Sequence, residues 1–239
     1  MPSLRVLAAV VAAVALLAGG WIWLRSSSLV AVEEVRVTGV ERSPGGSAIR
    51  SSLTSVAMDM TTLNVDRAAL DEAVRRFPVV KSLDVSTDFP RGMTIAVVQR
   101  RPVAALVGGG VPVAVAADGV LLRGEKTSGL PAVTAKVPFG APRLTGGRAL
   151  EQVRLLGAAP AHLRGRASAV AYSAGGYTVR LSGYPELRLG GPDRLESKWA
   201  AAVRILRDAS VAGASYIDLR VPERPAVGPS SGGEEGFIP

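Results

Sequence analysis

The side chains that could do chemistry in this sequence are few and poorly spaced for it. His162 is the only histidine, and histidine is the residue most often used as a general base or metal ligand. One imidazole cannot form a cluster, and between Pro160 and Arg164 it reads as an exposed loop residue. Cysteine is absent, which excludes disulfides, thiolate metal sites and cysteine nucleophiles. Ala171-Tyr172-Ser173-Ala174-Gly175 resembles a nucleophile elbow with its first glycine replaced. That device needs a histidine downstream of the serine, and His162 lies upstream. A Ser/Lys dyad needs no histidine, but Lys81, Lys126, Lys136 and Lys198 all lack a serine three residues earlier. Gly108–Gly110 has neither dinucleotide-binding nor Walker spacing. The carboxylate pairs Glu33-Glu34 and Glu234-Glu235 fall at a strand edge and in a tail, where solvation is their ordinary role. The sequence therefore reads as a non-enzyme, with no cofactor, metal or small-molecule substrate expected.

Binding remains as the alternative to catalysis. The 239 residues carry a net charge of +8, with 28 basic side chains, all arginine except those four lysines. Such a balance suits nucleic acid, anionic lipid or an acidic partner. The arginines are scattered among acidic residues, however, without a basic run or an aromatic ladder. Nucleic-acid binding is not expected. Hydrophobic residues make up 48% and aromatics only 5%, so the core must be built mainly from Ala, Val and Leu.

Residues 6–24 (VLAAVVAAVALLAGGWIWL) hold no charge. As a helix they would be about 28 Å long, close to the hydrocarbon thickness of a bilayer. Arg5 and Arg25 bracket the run, and Trp21 and Trp23 sit at its far end, where interfacial aromatics belong. A signal peptide would have a shorter apolar core and a small-residue cleavage site after it. The one such pattern, Ala13-Val14-Ala15, lies inside the run. A buried core helix would carry polar residues on one face. A single membrane-spanning helix is the expectation, after a cytoplasmic start at 1–5 and before a joint at 25–31.

Beyond the joint, 32–38 alternates as a strand, with Val35 and Val37 on one face. A helix from Ser47, its expected cap, to about Ser55 comes next. A second helix follows, capped by Asn64 or Asp66, with Leu70, Ala73, Val74 and Phe77 on one face; Pro78 stops it. Strands at 79–86 and 93–99 flank the turn Asp88-Phe89-Pro90-Arg91-Gly92. Strand, helix, helix, strand, strand is a complete α+β module over 32–100. After Arg100-Arg101-Pro102 the strands shorten, at 103–107, 111–116, 120–122, 169–172, 177–181 and 187–189. A proline-rich loop around Pro131, Pro138 and Pro142 and a helix near 148–156 lie among them. The strongest helix covers 194–207, with Leu195, Trp199, Ala202, Val203 and Leu206 as its stripe and Asp193 and Glu196 as a capping pair. A strand at 216–221 and a further short one at 226–228 close a β-rich domain over 101–228. Residues 229–239 have the composition of a disordered tail. The fold class is α+β.

Taken in order, several short motifs resemble the FtsQ/DivIB family of bacterial cell-division proteins. They are Val35-Arg36-Val37-Thr38-Gly39, Phe77-Pro78-Val79-Val80, Phe89-Pro90 before Ile95-Ala96-Val97, and Gln99-Arg100-Arg101-Pro102-Val103-Ala104. Asp118-Gly119-Val120, Leu130-Pro131, Lys198 and finally Tyr216-Ile217-Asp218-Leu219-Arg220 complete the series. The resemblance covers roughly 1–229. It implies a POTRA-like module followed by a β domain, and a single-pass type II anchor in the cell membrane at the division septum. It also implies a non-catalytic scaffold for divisome membrane proteins of the FtsB/FtsL type and for a septal peptidoglycan synthase. The partner-binding positions it points to are Tyr216, Asp218, Arg220, Val221, Ala226, Val227 and Gly228, where an edge strand could accept a partner strand. Arg220 would meet an acidic partner, or is simply a solvated edge residue. Pro222, Pro225 and Pro229 interrupt this edge, so an added strand must be short. Two other classes stand beside this reading: a POTRA-bearing export component, which would need many barrel strands, and a membrane-tethered cell-wall hydrolase.

Overall fold

The computed structural model describes residues 4–25, 27–41, 45–108, 110–136, 140–211 and 213–229, with side chains from residue 12 onward except at residue 22. The chain divides into two compact units, Met1–Arg100 and Arg101–Pro239. It is a mixed α+β structure.

Helix α1 (Leu4–Arg25) opens the first unit. Val14, Leu16, Leu17, Trp21 and Trp23 on it are all more than half exposed. Among the described residues no helix is long and apolar enough to cross a membrane. The span expected at 6–24 includes residues 6–11 and 22, whose side chains lie outside the described residues. A 3-10 turn at Ser28–Val30 follows. The module is then built from β1 (Glu34–Thr38), α2 (Gly46–Met58), α3 (Arg67–Val74), β2 (Val80–Asp88) and β3 (Gly92–Gln99). Its sheet runs in the order β1-β3-β2, with β1 parallel and β2 antiparallel to the central strand. Ile49 and Leu53 of α2 and Leu70 of α3 are fully buried against Met93 and Ile95 of β3. Each such aliphatic side chain stabilises the module by about 1.5–3 kcal/mol relative to exposure.

Of the two expected caps for α3, Asp66 does the work, its carboxylate accepting from the Ala69 amide at 3.0 Å. The cap of α2 is Gly45, with φ of 80°, and Ser47 falls within the first turn. Gly39 ends β1 with φ of 84°, and a Cβ there would lie 2.4 Å from the Val97 carbonyl oxygen. Only glycine fits that approach.

The second unit is one large sheet with helices. Its elements are β4 (Pro102–Val107), β5 (Val113–Ala116), β6 (Leu121–Leu122), β7 (Ala132–Thr134), α4 (Gly147–Ala158), α5 (Ala161–Arg164), β8 (Ala167–Ser173), β9 (Gly176–Leu181), β10 (Glu186–Gly190), α6 (Leu195–Ile205), β11 (Tyr216–Asp218) and β12 (Ala226–Val227). Among the described residues these nine strands run in the order β12-β11-β10-β9-β8-β7-β4-β5-β6. The core gathers Val153, Leu155 and Leu156 of α4, Trp199 and Ala202 of α6, and Tyr177, Val179, Leu187, Leu189, Ile217 and Leu219 from the sheet. The Trp199 indole donates to the Leu155 carbonyl at 3.0 Å, tying α6 to α4.

Further expectations need correcting. Residues 132–134 form a strand within the proline-rich loop, β7, because they pair in parallel with β4 and β8. His162 lies in the single helical turn α5, still exposed. The capping pair of α6 does not form: Arg194 is the cap residue, in the left-handed region with φ of 51°, and makes no side-chain cap bond.

Candidate functional site

The sequence pointed to the C-terminal end of the second unit, and the sheet order puts that end at an open edge. β11 pairs parallel with β10, setting Tyr216 beside Glu186, Ile217 beside Leu187 and Asp218 beside Arg188. Ile217 is fully buried beneath the sheet, so the alternation turns Tyr216 and Asp218 to the opposite face. β12 then covers β11 in antiparallel register, with Ile217 opposite Val227 and Asp218 opposite Ala226. The expected site residues therefore occupy different positions. Tyr216 and Asp218 are one strand in from the edge, and Ala226 and Val227 are the edge itself. Arg220 and Val221 lie in the connecting turn.

Backbone hydrogen bonding defines what the edge can offer. The Gly228 amide donates to the Tyr216 carbonyl at 2.9 Å, and the Ser215 amide donates to the Pro229 carbonyl at 2.9 Å. Pro229 thus belongs to the edge, a correction to a tail beginning there; residues 230–239 lie outside the described residues. In an antiparallel ladder inward and outward groups alternate. With Gly228 facing inward, Ala226 does so too, and Val227 directs its N–H and C=O to the open side. Pro225 and Pro229 on either side have no N–H to give. Among the described residues, donors at the open edge are thus confined to Val227. Its side chain is 46% exposed, and Val221 across the turn is 53% exposed.

Gly228 is required by a close approach: a Cβ there would meet the Tyr216 ring at 2.4 Å. The Arg188 guanidinium stacks on that ring at 3.6 Å from its centroid.

Asp218 and Arg220 form a fork. Arg220 Nε donates to both Asp218 carboxylate oxygens, at 3.1 and 2.9 Å, and Nη2 donates at 2.6 Å. The Arg220 amide also donates to Asp218 Oδ1 at 3.0 Å, fixing the turn out of β11. Hydrogen bonding from Arg220 is the largest influence holding the Asp218 carboxyl below its usual range. The same bonds push the Arg220 guanidinium above its usual value. Arg220 is therefore partly committed within the chain, although its side chain remains 60% exposed and Nη1 takes no part in the fork.

Sequence reasoning missed how the turn at 221–225 is braced. Arg194, held by its left-handed backbone at the head of α6, forms an ion pair with Glu223 in that turn. Beneath it Lys198 is 1% exposed. Its ammonium donates to the Gly191 carbonyl at 3.0 Å and to Asp193 at 3.3 Å. The Asp193 carboxyl is held below its usual range, first by a hydrogen bond from its own backbone and then by Lys198. The lone signal in the sequence was a lysine on the stripe side of an amphipathic helix.

Ser173 ends β8 in a hairpin, its hydroxyl accepting from the Gly175 amide at 3.3 Å. Among the described residues no group of three or more His, Asp or Glu side chains could hold a metal.

Residues 105–220 match the profile of the C-terminal region of the cell division protein FtsQ/DivIB. The chain is also 30% identical over 247 residues to the Cell division protein FtsQ of Streptomyces collinus, with 93% of this chain and 88% of that protein covered.

Proposed function

We propose that this chain, which belongs to the FtsQ/DivIB family of cell division proteins, is a non-catalytic scaffold that captures a partner strand on β12. The carrying observation is the open side of the nine-stranded sheet, where Val227 presents backbone groups between two prolines. A strand laid there gains a pair of backbone hydrogen bonds. Val221 and Val227 supply the apolar contact, and Arg220 supplies a charge for an acidic residue of the partner. Two prolines keep the added strand short, which also protects the edge from unwanted pairing. The partners proposed are FtsB/FtsL-type divisome proteins and a septal peptidoglycan synthase.

The same reading seats the chain in the cell membrane at the septum through α1, with the two units outside the cytoplasm. Apolar side chains exposed along a helix lose their solvation cost only in lipid or against another protein. Trp21 and Trp23 at its end suit the interface between lipid and water.

The test is the double substitution Val221→Asp and Val227→Asp in the full chain, with affinity for purified FtsB/FtsL ectodomains measured by calorimetry. Binding should fall at least tenfold, because about 1.4 kcal/mol suffices for that loss. Undiminished affinity would sink the edge-strand reading.

A further inference from the structure

We infer that the end of the first unit nearest α1 is itself seated on the bilayer, with Phe89 and Leu29 entering the interfacial layer beside the helix. This rests on the membrane reading of α1 and goes beyond it, since a tethered unit could equally stand clear of the lipid.

The geometry begins where α1 meets the unit. The Thr61 hydroxyl donates to the Arg25 carbonyl at 2.8 Å, and the Arg25 guanidinium donates to Asn64 at 2.5 Å. The loop between α2 and α3 is thereby fixed to the end of the helix. The chain leaving α1 runs along the same loop: the Thr62 amide donates to Val30 and the Val32 amide to Met60. The β2–β3 turn joins them. The Thr62 hydroxyl donates to the Pro90 carbonyl at 2.8 Å, Arg91 Nε donates to the Leu29 carbonyl at 3.5 Å, and Arg91 pairs with Glu33. Three segments far apart in sequence therefore share one end of the module.

That end presents exposed apolar side chains among its polar ones. Phe89 is 70% exposed at the tip of the turn, and Leu29 is 54% exposed. Met58 at the end of α2 is 51% exposed. Turn tips favour Gly, Asn, Asp and Ser, whereas this one presents an exposed aromatic ring. The surface is also continuous with α1, whose Trp21 and Trp23 occupy the interfacial level of the same helix. The charges around it are mixed, with Arg25 and Arg91 against Glu33, Asp59 and Asp88. Attraction to anionic head groups is therefore not the driving force. Apolar insertion is, as for interfacial elements generally.

The chain has no cysteine, so single probes can be placed cleanly. Full-length Phe89→Cys, Leu29→Cys and Lys81→Cys, each carrying an environment-sensitive fluorophore, are reconstituted in phosphatidylcholine vesicles. Lys81 is the reference, exposed and about 23 Å along β2 from Asp88 at roughly 3.3 Å per residue. The labels at 89 and 29 should emit to the blue of that at 81 and be quenched several-fold more by lipid-borne nitroxide. Partial replacement with phosphatidylglycerol should change neither. If Trp21 and Trp23 are quenched by brominated lipid while 89 and 29 behave like 81, the seating is overturned and the anchor stands. If the tryptophans are unquenched as well, the anchor reading fails and the seating with it.

Discussion

Val227→Pro separates the proposed docking edge from the stability of the sheet. Val227 is the residue of β12 whose N–H points away from β11, so a proline there removes no ladder bond within the chain. Proline is tolerated at such edge positions, and Ala226 before it is already extended. The unfolding temperature should stay within a degree or two of the parent. Binding has no such escape. The partner strand loses one amide hydrogen bond, worth about 0.5–1.5 kcal/mol net. The proline ring also stands where the partner carbonyl would approach, so the companion bond from that residue weakens too. Together these give about 1–3 kcal/mol, a loss of roughly fivefold to over a hundredfold in affinity. Calorimetry of the full chain in nanodiscs against FtsB/FtsL ectodomains reads this directly. An affinity within a factor of two of the parent, with the fold intact, would refute the reasoning.

Two other perturbations probe how the edge is held. Gly228→Ala places a methyl group against the Tyr216 ring, a clash of a kind that costs about 1–3 kcal/mol where neighbours cannot move. Amide exchange should accelerate at Ser215 and Gly228, whose amides bond across to Pro229 and Tyr216, while α6 remains protected. Asp218 gives a pH dependence with a definite sign. Its folded carboxyl is held low by Arg220, so the stability it adds is complete above the usual aspartate value of about 3.9 and is lost as pH falls through the folded value. Thermal unfolding of Asp218→Asn and parent should differ by a constant amount from pH 5 to 8, and the gap should narrow in more acidic solution.

Periodicity carried the sequence reading furthest where packing is local. The α6 stripe of Leu195, Trp199 and Ala202 is legible because a helix repeats every few residues, and Asp66 as a cap is legible because its partner is three residues away. β7 is not, because three residues after a proline become a strand only through pairing with Ala105–Val107 and Ala169, far away in sequence. The failed Asp193 and Glu196 cap has a similar cause: Asp193 is drawn instead to the buried Lys198 ammonium, and the Gly191 carbonyl that completes that site is placed by the end of β10. At the candidate site, alternation put Tyr216 and Asp218 on one face. It could not reveal that β12 folds back over them, that Arg220 is forked onto Asp218, or that Arg194 braces the turn through Glu223. Each of these depends on the register of chain segments brought together by the sheet.

The Val227 amide offers the most direct test of strand capture. Its hydrogen exchange should be fast in the free chain and slow by at least an order of magnitude when FtsB/FtsL ectodomains are bound, with little change at Gly228, which already donates to Tyr216. Exchange at Val227 unaltered in a saturated complex would contradict a partner strand on β12.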